Sequence, residues 1–165
     1  MRVLGVDPGT YKMGAGVVDS RSFDLDHVYS TVIAPSRGDA VPARLHFLFE
    51  HISGLIEQWQ PVEMAIEQPF AGRNIRAAMA IGHAQAAAMV AAAGHGLPVF
   101  TYTPRQVKQS VTDHGGSSKE QVADMVRLLL RADDLQAATD DVTDALAVAI
   151  CHINASHVRE LTVID

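Results

Sequence analysis

The chain has 165 residues, 48% apolar and 19% charged, a balance that supports one hydrophobic core and excludes the polar, charge-rich composition of disordered chains. Its formal charge of −6, from 13 basic against 19 acidic residues, excludes holding nucleic acid by bulk charge, so any such binding has to come from a local concentration of Lys and Arg. Cys151 is the single cysteine; an internal disulfide and a thiolate metal site are both excluded, and its apolar helical surroundings predict a buried thiol. The length predicts one domain over residues 1–165. Met1 leads straight into a short apolar strand without a secretory leader, and no stretch is expected to provide the 18 or so apolar residues of a membrane span, so the expected compartment is the cytoplasm, with no membrane partner.

Arg2 to Val6 predicts a strand that stops at Asp7-Pro8-Gly9-Thr10, whose Pro and Gly suit the middle of a turn. A second strand is expected from Met13 to Val18, where Gly14 and Gly16 imply a bend or a close approach of backbone. A third, from Leu25 to Ile33, completes an antiparallel meander. Leu45, Leu48, Phe49, Ile52 and Ile56 recur at spacings of three and four, which predicts an amphipathic helix ending near Gln60. Val62 to Ile66 reads as a buried strand, Asn74 to Ala93 as a helix rich in Ala, and Leu97 to Tyr102 as a further strand. Thr103-Pro104 opens a short helix that Gly115-Gly116 is expected to close, Ser118 with Gln121 forms a capping box for the next helix, and a last helix begins near Thr139. A meander followed by alternating strand and helix predicts an α/β fold, a mixed sheet with helices on both faces.

Ligands of such sheets gather where the strands end. Asp7 closes the first strand and Glu67 the fourth, each after an apolar run. Asp7 suits the first position of a Pro-Gly turn as well as it suits a site, whereas Glu67 stands as one charge inside an apolar segment. Asp141 and Asp144 project from one face of the last helix; its N-terminus favours acids for purely structural reasons too, and Asp140 fits that role. If the helix crosses the sheet, Asp7, Glu67, Asp141 and Asp144 converge, and four carboxylates at one point need cations. Oxygen-only ligands suit Mg²⁺, with Mn²⁺ able to substitute, and two such ions clamp both oxygens of an in-line phosphodiester displacement. Arg73, Arg76, Arg105, Lys108 and Lys119 follow the acid-bearing strand or lie near helix starts, either a basic rim around an acidic pit or solvated surface charge. Phe70 is either an aromatic wedge for a splayed base or a core residue. The small residues of the Ala-rich helix, with Ala80, Ala84 and Ala88 at four-residue spacing, allow a two-fold dimer face or tight internal packing. His152 and His157 read as helix-end residues without a role.

Gly5-Val6-Asp7-Pro8-Gly9-Thr10, Ala65-Ile66-Glu67-Gln68 with Phe70, Arg105-Gln106-Val107-Lys108-Gln109, and Asp144-Ala145-Leu146-Ala147-Val148-Ala149-Ile150, in that order, resemble the RuvC family of crossover-junction (Holliday-junction) endodeoxyribonucleases over nearly the whole chain. The resemblance implies an RNase H-like fold, a homodimer, and Mg²⁺-dependent symmetrical nicking of two opposed strands of branched DNA to leave 5′-phosphate and 3′-hydroxyl ends. It implies that Asp7, Glu67, Asp141 and Asp144 are the acidic ligands, that Phe70 opens bases at the crossover, and that Lys108 and Lys119 contact DNA. The partner it implies is a branch-migration helicase complex. Residues 159–165 carry no basic tail, which departs from the family, as does the acidic net charge. Two other readings are a junction-binding protein without catalysis, for which four acids are not required, and a sugar-kinase-like or actin-like ATPase, which shares a loop like residues 7–16 but needs two lobes and a longer chain.

Overall fold

The computed structural model describes residues 1–22, 24–68, 74–132, 135 and 138–162, the last three without their side chains. The meander forms as β1 (Arg2–Asp7), β2 (Met13–Arg21) and β3 (Asp24–Ile33). Helix α1 (Val41–Trp59) then leads to β4 (Glu63–Glu67), and α2 (Ile75–Gly94) to β5 (Val99–Tyr102). Three helices close the chain, α3 (Pro104–Thr112), α4 (Lys119–Leu130) and α5 (Asp140–Thr162). The sheet order is β3-β2-β1-β4-β5, with β2 antiparallel to both neighbours and β4 and β5 parallel to β1. Strands β1, β3, β4 and β5 therefore end on one edge of the sheet.

The helices divide between the two faces. Leu48, Ile52, Ile56, Ala84, Ala88 and Ala91 of α1 and α2 pack with Leu4, Val6, Met64 and Ile66 in one core. Residues of α3, α4 and α5, among them Val107, Val126, Leu146 and Ile150, pack with Val3 and Ala65 in the other. Val3, Leu4 and Val6 are fully buried because β1 is covered on both sides, so β1 reads as a continuous apolar run rather than an alternating one. Cys151 is buried as expected, and that burial pushes its thiol up to about 11.

Helix α5 lies unusually close to the sheet. A Cβ added at Gly5 would strike the Ala145 carbonyl oxygen and come within 2.7 Å of the Ala149 amide nitrogen, and one at Gly14 would strike the Asp141 carbonyl oxygen. Gly5 of β1 and Gly14 of β2 are thus a floor for the helix, the close-approach alternative for Gly14, while Gly16, the strand partner of Gly5, lies beneath Leu146.

Several boundaries differ from expectation for local reasons. Strand β2 runs on to Arg21 because β3 pairs with it along its whole length. Strand β5 begins at Val99; Leu97 is buried, and Pro98 contributes its carbonyl to the Met64 amide. Helix α3 stops at Asp113, which adopts the left-handed conformation at φ 57, before Gly115-Gly116. Both capping boxes are present, Thr103 with Gln106 and Ser118 with Gln121.

One expectation about α2 is corrected, and one alternative is decided. By length and composition it is apolar enough to cross a membrane, because alanine raises its hydropathy without bulk, yet it packs on α1. Ala84 and Ala88 are fully buried inside the chain, so the alanine stripe is internal packing and not a dimer face. A glutamate at Ala84 would place an unpaired charge in the core and prevent folding rather than dissociate a dimer.

The glycine floor gives a stability test with opposite signs. Gly14→Ala is expected to cost about 2–3 kcal/mol in urea unfolding, because helix backbone has to move. Gly54→Ala, in α1 with open space around it, is expected to gain about 0.5–1 kcal/mol from helix propensity.

Candidate active site

Parallel pairing of β1 and β4, from Val3 opposite Glu63 to Val6 opposite Ile66, delivers Asp7 and Glu67 side by side at the carboxyl ends of two buried strands. On the other side of Asp7 the strand partner is Gly14, and the Asp141 backbone rests on that glycine. The first turns of α5 thereby hang over Asp7, with Asp141 and Asp144 half-buried and Asp140 exposed.

The charges act on one another as a group. Burial first, and then the negative charges of Asp144 and Asp141, push the Asp7 carboxyl up to about 7 against the opposing charge of Lys119. Glu67 is pushed up to about 7, first by burial and then by Asp7 and Asp144, against Lys119 and Lys108. Asp140 acts on Lys119 instead and does not figure among the causes for either strand acid.

Lys119 stands at the rim of the acids: its Nζ donates to Asp144 Oδ2 at 3.0 Å, which holds its ammonium more strongly protonated than usual. A lysine in the first turn of α4 is disfavoured by the helix dipole, so its position is explained by the acids it faces. Lys108 donates to the Ser117 carbonyl at 2.7 Å while remaining close enough to influence Glu67. Arg76 and Arg105 are exposed in the first turns of α2 and α3, which leave the sheet from the edge carrying the acids. Phe70 and Arg73 lie outside the described residues.

Among the described residues no three acids close into a ready-made metal cage. The donor set nevertheless fits a hard divalent cation: the oxygens come from carboxylates, two of them are pushed up to about 7 chiefly by burial, and the one lysine in ion-pair contact is on Asp144. Mg²⁺ characteristically takes one or two carboxylates and completes its shell with water and substrate phosphate, which needs no preformed cage.

A buried hydrogen-bond chain behind the acids is absent from the sequence reading. His152 is fully buried in mid-α5 rather than at a helix end, a correction that follows from α5 running on to Thr162. Its Nε2 lies 2.6 Å from Glu63 Oε2 and its Nδ1 2.7 Å from the Tyr102 hydroxyl. A carboxylate only accepts, so the geometry fits a proton on Nε2 and donation from Tyr102 to Nδ1. Burial lowers the His152 pKa, against the pull of Glu63, and keeps the ring neutral. The chain ties α5 to β4 and β5 about two turns beyond Asp144. A signal for it existed: Glu63, Ala65 and Glu67 share one face of β4 by strand alternation.

The two raised carboxyls fix a pH dependence. Their folded values near 7 exceed the unfolded ones near 4, so the folded state binds more protons between those limits and stability falls as pH rises through them. In metal-free buffer, Asp7→Asn and Glu67→Gln are each expected to be more stable than the parent by about 1–2 kcal/mol at pH 8, with the difference gone near pH 4. Urea unfolding across that range is the measurement; parent-like stability of both amides at pH 8 would contradict the desolvated, uncompensated site.

Residues 3–152 match the family model of crossover junction endodeoxyribonuclease RuvC. A crossover junction endodeoxyribonuclease RuvC of Dehalococcoides mccartyi is 45% identical over 152 residues, covering 92% of this chain and 90% of that protein. Its counterpart from Geobacter sulfurreducens is 41% identical over 161 residues, covering 98% and 97%. Thermus thermophilus RuvC, in a structure with a Holliday junction substrate, superposes with a TM-score of 0.90 at 31% identity over 96% of both chains. The yeast mitochondrial Holliday junction resolvase Ydc2 shares the fold at a TM-score of 0.63 and 13% identity, covering 96% of this chain and 83% of that one. With the RNase H-like sheet, the order of its strands and the sequence matched over nearly all its length, the chain belongs to the RuvC family of crossover junction endodeoxyribonucleases.

Proposed function

We propose that this chain, as a single nuclease domain over residues 1–165, resolves four-way DNA junctions by paired symmetrical nicks, with Asp7, Glu67, Asp141 and Asp144 as the metal-holding acids. The observation that carries the residue assignment is the mutual electrostatic pressure of these acids at the end of two buried strands, opposed chiefly by Lys119. Each cut adds water to phosphorus and breaks the bond to the 3′ oxygen, so the products carry 5′-phosphate and 3′-hydroxyl ends. Two Mg²⁺ ions, or Mn²⁺ in their place, would be held by Asp7, Glu67, Asp141 and Asp144 and would supply positive charge for the scissile phosphate and for the oxygens on which charge develops.

The protein's own groups bind and orient. Asp7 and Glu67 are held by rigid strand ends, and Asp141 and Asp144 by a helix lying on glycine, so the acids have little freedom to spread under their repulsion. Lys119, which pairs with Asp144, and Lys108 of α3 would be the cations that meet the scissile phosphate. Arg76 and Arg105 carry the cationic surface outward along the same edge, and the proposal gives Phe70 and Arg73 contacts with the opened strand. The cytoplasm, where recombining DNA lies in a bacterium, is the proposed compartment, and a branch-migration helicase complex the proposed partner.

A crossover presents two equivalent strands related by approximate two-fold symmetry, which a homodimer matches with one site for each. The proposed interface is the outer face of α2, where Ile75, Met79 and Val90 are 72%, 59% and 60% exposed. Those apolar groups lie on the side of the helix away from Ala84 and Ala88.

Two tests follow from this assignment. On a four-way junction, Asp7→Asn, Glu67→Gln and Asp144→Asn are expected to lose cleavage by orders of magnitude in Mg²⁺ while binding persists in gel shift; near-normal cutting by Glu67→Gln would remove Glu67 from the metal site, and a parent protein that binds junctions without cutting them would favour a binding module. Met79→Glu is expected to sediment as a monomer and to relax a cruciform plasmid by single nicks, where the parent linearises it. A dimeric, linearising Met79→Glu would move the interface elsewhere.

A further inference from the structure

The edge that carries the acids has a second cationic feature, on the opposite side of Asp7 from Lys108 and Lys119. Helix α1 starts from this edge, because β3 ends there at Ile33 beside Met13, and the helix runs back toward the far edge, where Arg2 Nη1 donates to the Trp59 carbonyl at 2.8 Å. Its first turn has no acid, and its N-cap residue Ala40 has no side chain to cap the free amides. In place of an acid it carries Arg44, which is 7% exposed.

Arg44 is a buried cation without a counter-charge. Its Nε and Nη1 are sealed from solvent with no hydrogen-bond partner, and no carboxylate lies within ion-pair distance of it among the described residues. Its guanidinium stacks 4.2 Å from the centre of the Tyr11 ring, in the turn that leaves Asp7. Arg37, exposed in the segment leading to α1, is drawn to the same ring at 6.0 Å. A ring face compensates a desolvated guanidinium only in part, and a helix N-terminus adds positive potential where it is already in excess. From Tyr11 to Lys12 and from residue 34 to 44, three cations face one acid, the exposed Asp39, in a chain whose total charge is −6.

We infer that Tyr11, Arg37, Arg44 and the N-terminus of α1 form an anion site that takes a backbone phosphate of the DNA strand on the far side of the scissile bond. A strand lying across the sheet edge meets Lys108 and Lys119 on one side of Asp7 and has to leave on the other, over the β1–β2 turn and the start of α1. The orphaned guanidinium, the uncapped helix and the nearby Arg37 each lack the same thing, a phosphate-sized negative charge. The site deepens the junction-cutting reading, and rests on it only for the identity of its ligand.

The test uses the full chain without divalent cation. Binding of a four-way junction and of plain duplex is followed by fluorescence anisotropy between about 50 and 200 mM salt for the parent, Arg44→Met, which keeps much of the stem, and Arg37→Gln. Each variant is expected to lower the slope of log K against log salt by about one on both DNAs. In thermal melts, inorganic phosphate at fixed ionic strength is expected to raise the melting temperature of the parent and not that of Arg44→Met. An unchanged slope in folded Arg44→Met overturns the proposal, as does equal phosphate stabilisation of parent and variant. If Arg44→Met does not fold, Arg37→Gln, altered only at an exposed side chain, decides by the same criterion. A parent that fails to cut junctions in Mg²⁺ would sink the cleavage reading while leaving these slopes and melts to be read on their own.

Discussion

Everything at the candidate active site depends on how closely α5 lies against β1 and β2. Backbone meets backbone there, with Gly5 and Gly14 leaving room for the carbonyls of Ala145 and Asp141. Any side chain at those two positions would lift the helix, and Asp141 and Asp144 would leave the neighbourhood of Asp7 and Glu67. The small residues on the helix, Ala145 and Ala149, complete the fit from the other side. Close packing of this kind is stiff, because neither surface has a flexible side chain to yield. Stiffness is what a set of mutually repelling carboxylates requires.

The electrostatic consequence is a site that is incomplete as a protein-only object. Asp7 and Glu67 sit where burial and neighbouring acids oppose their ionisation, and Lys119 relieves only part of that pressure. The acids are gathered without being closed into a cage, so a cation entering here also brings in water or substrate oxygens. On the proposed assignment, that arrangement would tie the binding of metal to the binding of a phosphate. In a chain of net charge −6, contact with a polyanion has to rest on local cations such as Lys108 and Lys119 rather than on the total.

His152 explains how a helix of 23 residues keeps its position along its axis. Its glycine floor lets the helix approach but does little to prevent sliding. The hydrogen bonds from His152 to Glu63 and Tyr102 pin the helix to two strands inside the core. Leaving the fully buried His152 ring unpaired would cost about 1–3 kcal/mol, so the register of α5 against β4 is favoured. Asp144 and Glu67 inherit their relative placement from the same two elements.

Periodicity, turn chemistry and caps are local properties, and the sequence by itself determined what they control: the ten elements in order, the capping boxes at Thr103 and Ser118, and the acids at the ends of β1 and β4. Asp141 and Asp144 could be placed on one helix face for the same reason. Where that face points is not a local property, and only the tertiary structure decided that it overhangs Asp7. Ala84 and Ala88 show the limit most plainly, since alanines at four-residue spacing fit an internal contact and a subunit interface equally, and only the position of α1 makes them internal. In sequence Lys119 fits a basic rim and plain surface charge equally, because its partner Asp144 is 25 residues away, and His152 resembles a helix end because its partners lie 89 and 50 residues away. Contacts across such distances leave no periodic trace in the chain. They exist only once strands and helices have been stacked and the burial of each polar group has decided what it must bond.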